Sequence, residues 1–111
     1  MKLLTKAIRE KLIANFEANK GKEKTVDHIP VVKLFFPAGR GTWLLSELDP
    51  ETNIAFGLAD LGDPEMGYVD LTELEAVVIR GLRVERDIYW KGAKPLTVYA
   101  DEARQKGMLI A

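Results

Sequence analysis

Between residues 30 and 69 the chain switches repeatedly between short apolar or β-branched runs and turn chemistry. Pro30 opens Val31-Val32-Lys33-Leu34-Phe35-Phe36, and Pro37-Ala38-Gly39-Arg40-Gly41 follows as a turn. Thr42 to Leu48 reads as the partner strand. Asp49-Pro50-Glu51-Thr52-Asn53 turns the chain into Ile54-Ala55-Phe56-Gly57-Leu58, and Gly62-Asp63-Pro64 precedes a short strand at Gly67-Tyr68-Val69. Parallel neighbours need a crossover of about a dozen residues or more. The connections here are shorter, so the segment predicts an antiparallel meander.

Helical spacing brackets the meander. Leu4, Ile8, Leu12 and Phe16 recur every four residues, with Leu3, Ala7 and Ile13 beside them. That stripe predicts a helix over residues 5–19, with Thr5 as N-cap and Gly21 as its stop. Residues 20–28 are polar and read as a loop. Asp70-Leu71-Thr72-Glu73 resembles a capping box and predicts a helix over 71–79 that buries Leu71, Leu74, Val77 and Val78. Leu82 to Trp90 alternates and reads as one further strand. Pro95 suits the first turn of a last helix, with Leu96, Tyr99, Ala100 and Ala103 on one side and Gly107 at its end. The apolar tail Met108-Leu109-Ile110 is expected to dock. The expected class is α+β, a single domain over residues 1–111. It would be a mostly antiparallel sheet of about five strands with N-terminal, short central and C-terminal helices on one face.

Composition excludes several functions. The chain has 111 residues, enough for one core without staples. It has no cysteine, which removes disulfides, thiolate metal sites and cysteine nucleophiles together. No apolar run is long enough to span a bilayer. Lys6, Arg9, Glu10 and Lys11 interrupt the apolar start at Met1-Lys2-Leu3-Leu4 too early for a signal peptide, so a cytoplasmic location is expected. Sixteen Lys and Arg against seventeen Asp and Glu leave a formal charge of −1, which disfavours general polyanion binding. The charge is nevertheless segregated, with a balance of +5 over residues 1–40, −9 over 41–79 and +3 over 80–111. Residues 41–79 contain no Lys or Arg. Turn and cap chemistry explains most of these acids. Gathered on one side, Glu47, Asp49, Glu51, Asp60, Asp63 and Glu65 would form an acidic patch for a basic partner.

Candidate chemistry is sparse. His28 is the only histidine and cannot build a metal site alone, so it reads as a loop histidine and no metal or cofactor is expected. Ser46 is the only serine, lacks a nucleophile-elbow motif, and by simple alternation shares a face with Thr42, Leu44 and Leu48. Arg86 falls in the apolar row Leu82, Val84, Ile88, Trp90, while Glu85 and Asp87 take the other face. An arginine there needs a partner, and Glu47 or Glu73 is the expected one. Lys33, Phe35, Arg40, Trp43, Tyr89 and Lys91 could form a basic and aromatic surface for nucleic acid, although core packing is the ordinary role of strand aromatics.

The pattern Pro30-Val31-Val32-Lys33-Leu34-Phe35, Thr42-Trp43, Glu47-Leu48-Asp49, Phe56-Gly57, Glu65-Met66-Gly67-Tyr68, Leu71-Thr72-Glu73-Leu74-Glu75, Glu85-Arg86-Asp87 and Pro95-Leu96 resembles a family of short bacterial proteins. That family is known only as a domain of unknown function. The resemblance covers nearly the whole chain, including the Met1-to-Thr5 start. It implies an accessory protein of mobile DNA, carried on plasmids, integrative elements and phages, and supplies no catalytic residues. Such accessory proteins help DNA transfer and maintenance, or blunt host defence. The leading expectation is a small non-catalytic protein that binds a host or element protein in counter-defence. The others are a nucleic-acid-binding accessory protein and, last, an enzyme built on carboxylates.

Overall fold

A computed structural model describes residues 3–111; Met1 and Lys2, and with them the first residues of the apolar start, lie outside the described residues. Helix α1 covers Lys6–Asn19, and the Thr5 hydroxyl accepts from the Ile8 N–H at 3.1 Å, as the N-cap reading expects. Strands β1 (Val32–Phe35), β2 (Thr42–Asp49), β3 (Ile54–Asp60) and β4 (Pro64–Asp70) form the meander. Helix α2 (Leu71–Ala76), strands β5 (Val78–Ile79), β6 (Leu82–Arg83) and β7 (Glu85–Arg86), and helix α3 (Leu96–Lys106) follow. The five-stranded sheet runs in the order β4-β3-β2-β1-β7, all pairs antiparallel. The α+β class with three helices therefore holds.

Several boundaries differ for local reasons. β3 and β4 each run seven residues, longer than expected, because a three-residue turn at 61–63 lets pairing continue out to Asp60 and Pro64. α2 stops at Ala76, and Val77 and Val78 leave the helix with β-branched backbone preferences. Val78 joins the separate β5–β6 hairpin, whose tip residues Arg80 and Gly81 both have positive φ, at 53° and 80°. That pair matches the mirror-image turn that two-residue hairpins favour. The expected strand from Leu82 to Trp90 is therefore two pieces: β6 pairs with β5, and β7 pairs with β1.

Helices cover both faces of the sheet, not one. α1 and α2 pack on the first face, where Leu12, Leu34, Trp43, Leu45, Leu48 and Leu71 form the larger core. α3 and the tail pack on the second, around Leu44, Leu58, Leu96, Tyr99 and Leu109. The tail docks through Leu109, while Met108 and Ile110 are exposed. Two layers are possible because adjacent residues Leu44 and Leu45 point to opposite faces and both are buried. A sheet apolar on both sides must be covered on both sides.

β2 also carries a bulge. Leu45 pairs with Gly57 and Glu47 with Phe56, so Ser46 is an extra residue. The bulge resets the alternation: Leu48 joins Leu45 in the first core instead of sharing Leu44's face. The face expected for Ser46 and Leu48 is thereby corrected. Ser46 is buried, its hydroxyl donates to the Phe56 carbonyl at 3.3 Å, and its own carbonyl accepts from Asn15 at 3.0 Å.

The bulge makes Gly57 obligatory. A Cβ there would lie 2.0 Å from the Leu44 carbonyl oxygen, whereas at Gly67, its partner in register, it would meet nothing within 4 Å. Gly57→Ala is expected to lower stability by about 3 kcal/mol, because main chain must move to admit the methyl. Gly67→Ala is expected to stay within about 0.5 kcal/mol of the parent. Urea midpoints of the two variants check the contrast; equal losses would contradict it.

Candidate functional site

The acidic middle segment divides between the two ends of the sheet. Glu47, Asp49 and Glu51 lie at the end where β2 turns into β3, and Asp70 closes β4 there. Asp60, Asp63 and Glu65 lie at the opposite end, around the β3–β4 turn. A seven-residue strand separates the ends by about 20 Å. The six acids therefore do not form one patch.

Asp60 leaves the surface altogether. It is 1% exposed, and its carboxylate accepts from Arg40 Nε (3.0 Å), Arg40 Nη2 (3.2 Å), the Gly62 N–H (3.0 Å) and the Leu109 N–H (2.8 Å). Burial pushes its carboxyl pKa up. The Leu109 and Gly62 N–H groups and the Arg40 guanidinium outweigh that and hold it below the usual aspartate value. Arg40 also donates to the Gly107 carbonyl at 2.6 Å. Asp60 is thus interior rather than part of an acidic surface, whereas Arg40 stays exposed while its guanidinium is held by Asp60 and the Gly107 carbonyl. The signal was faint, since an Asp before a Gly reads as ordinary turn chemistry.

The basic and aromatic set is dispersed too. Trp43 is 7% exposed and belongs to the first core. Lys33 lies 3.8 Å from Asp87 and donates to the Ala111 carbonyl at 2.7 Å. Phe35 is half-buried opposite Thr42. Tyr89, 91% exposed, and Lys91 remain on the surface beyond β7. Arg86 donates to the Leu3 carbonyl at 2.7 Å, and no carboxylate among the described residues forms an ion pair with it. The expected partners Glu47 and Glu73 do not pair with it: Glu47 accepts from Asn19 instead, and the Arg86 guanidinium is taken up by main chain. His28 is half-buried, with its carbonyl accepting from the Leu96 N–H at 3.1 Å. Its Nε2 is enclosed without a hydrogen-bond partner among the described residues.

A groove of about 680 Å³ opens at the β2–β3 turn end. β1 ends alongside Leu45, so the outer side of β2 beyond the bulge meets α1 instead of a strand. Phe16, Asn19 and Lys20 form one wall of the groove. Glu47, Asp49, Ile54, Phe56 and Tyr68 form its floor and far side. Phe56 and Tyr68 pair across the strands with ring centroids 5.2 Å apart, and Tyr68 is 80% exposed. Asn19, buried and not singled out in the sequence, holds the wall. Its amide donates to Glu47 Oε2 (3.2 Å) and the Val26 carbonyl (3.0 Å), and its oxygen accepts from the Val26 N–H (2.7 Å). The signal was present in principle: Asn15 and Asn19 are spaced i, i+4 on the buried side of α1.

Chemically, the groove presents two carboxylates and a broad aromatic surface. Among the described residues no group of three His, Asp or Glu side chains could hold a metal ion, and no helix is long and apolar enough to cross a membrane. The molecule is thus a small α+β protein with a two-faced antiparallel sheet and one acidic, aromatic groove. It belongs to the family described as Protein of unknown function (DUF2958), which it matches over residues 3–110. No curated protein and no solved structure matches it.

The Asp60 knot has a testable pH signature. Its folded pKa is below the unfolded value of about 3.9, so its contribution is complete above that value. It is lost as pH falls through that value towards the lower folded one. Asp60→Asn is expected to lose about 3 kcal/mol at neutral pH, because Arg40 and two N–H groups lose their anion. Urea midpoints from pH 7 to pH 3 should show the gap to the parent narrowing on acidification. A constant gap would contradict the assignment.

Proposed function

We propose that this chain is a small non-catalytic interaction protein, and that its groove takes a basic, partly apolar segment of a protein partner. One observation carries the reading: Glu47 and Asp49 stand in the same open groove as the Phe56–Tyr68 pair. Exposed aromatics supply contact area at low entropic loss, and carboxylates beside them select a cationic partner. Tyr68 could stack on an arginine or lysine side chain in such a complex. The proposed setting is the bacterial cytoplasm and mobile DNA, with a host or element protein as partner and counter-defence as the role. That setting rests on the family resemblance of the sequence.

The test is affinity capture from a bacterial host, comparing the parent with Tyr68→Ala and with the Glu47→Lys, Asp49→Lys double variant. The same protein should be enriched by the parent, lost by at least about tenfold with each variant, and released by moderate salt. Retention by both variants would remove the groove from the function. A salt-sensitive shift of DNA by the purified parent would favour the nucleic-acid reading instead.

A further inference from the structure

The sheet has two edges of different character. β7 is two residues long and gives little backbone to pair with. β4 is seven residues long and, among the described residues, pairs only with β3. The hydrogen-bond parity of that pair is fixed at its end. The Leu71 N–H donates to the Asn53 carbonyl at 3.0 Å, so Ile54 and Asp70 are a non-hydrogen-bonded pair. Alternation then makes Ala55–Val69, Gly57–Gly67 and Ala59–Glu65 the hydrogen-bonded pairs. Pro64, which has no N–H, falls in a non-bonded pair, consistent with this parity. The N–H and C=O groups of Met66 and Tyr68 consequently point outward, away from β3.

Two more features lie on this edge. A cavity of about 120 Å³ opens beside Gly67, walled by Trp43, Leu45, Ala59 and Val69. A side chain on an added strand, opposite Gly67, would lean over that cavity, as aromatics do over edge glycines. The edge is also one-signed. β4 carries Glu65 and Asp70, and no Lys or Arg occurs anywhere in residues 41–79. Natural sheets guard an edge with lysine, a bulge or a covering element. Here only Pro64 and Glu65, at the beginning of the strand, serve that purpose. A second copy of β4 would set two acidic edges together, whereas a basic strand would meet complementary charge.

We propose that the free edge of β4 is a strand-addition site for an extended, basic segment of a partner protein, with a bulky apolar side chain seated over Gly67. This edge lies outside the Glu47–Asp49 groove, although Tyr68 borders both, so the two readings fail separately. The antiparallel register defines the segment. It has cations opposite Asp70, Tyr68 and Glu65, and an aromatic opposite Gly67. The acetylated and amidated hexapeptide Lys-Val-Arg-Phe-Thr-Lys meets that description.

Amide exchange read by NMR tests it. In the free protein the Met66 and Tyr68 amides should exchange fast, and those of Gly67 and Val69 slowly. Addition of the hexapeptide should slow Met66 and Tyr68 by at least about tenfold. N-methylation of its Arg and Thr, whose N–H groups face β4, should weaken binding about tenfold or more, while N-methylation of its Val and Phe should not. A peptide with glutamate at the three basic positions should fail. The proposal is overturned by unchanged exchange at millimolar peptide, by indifference to which residues are N-methylated, or by equal binding of the glutamate peptide. Concentration-dependent protection of Met66 and Tyr68 without peptide would overturn it too, since the edge would then belong to a second copy.

Discussion

The buried carboxylate of Asp60 is the constraint on which the arrangement of the chain depends. It joins three segments remote in sequence: Arg40 from the β1–β2 turn, Gly62 from the β3–β4 turn, and Leu109 from the tail. Arg40 adds the Gly107 carbonyl at the end of α3. One ion pair therefore closes one end of the sheet and anchors the helix that covers its second face. A buried charge is tolerated only when fully satisfied, and here four donor contacts meet it. The same knot withdraws Asp60 from the surface and ties down Arg40, whose side chain stays 41% exposed.

At the opposite end the controlling feature is the bulge at Ser46. It returns Leu48 to the first core, turns Glu47 to the second face, and ends β1 pairing near Leu45. α1 then takes the place of a strand, with Asn15 donating to the Ser46 carbonyl as a strand N–H would and Asn19 donating to the Glu47 carboxylate. The groove exists because this substitution is incomplete: a helix end covers less of the sheet face than a further strand and its side chains would. The close approach of Gly57 to the Leu44 carbonyl belongs to the same local geometry. The open surface therefore lies at the β2–β3 turn end and along β4.

Much of the fold was legible because it is local. Turn residues at 37–41 and 49–53 mark a meander, and Thr5, Asp70 and Gly107 mark helix ends whose cap geometry the structure reproduces. Residues 77–90 were misread for a physical reason. Alternation there is real, but an αL pair at Arg80 and Gly81 folds the run into a hairpin, and only Glu85–Arg86 rejoins the sheet. The candidate site was half legible. Glu47 and Asp49 were named as strand-end acids, yet nothing in their spacing joins them to Tyr68 or to Phe16, which meet them only across the strands and around a helix.

By itself the sequence determined the class, the antiparallel connectivity, the cap positions and the absence of cation from residues 41–79, because short connections and cap chemistry act over a few residues. Tertiary structure alone decided that helices cover both faces, that Asp60 is interior while Glu47 and Asp49 are half-buried along an open groove, and that β4 is left as a free edge. Those outcomes depend on register, and a single extra residue in β2 reverses which side chains share a face.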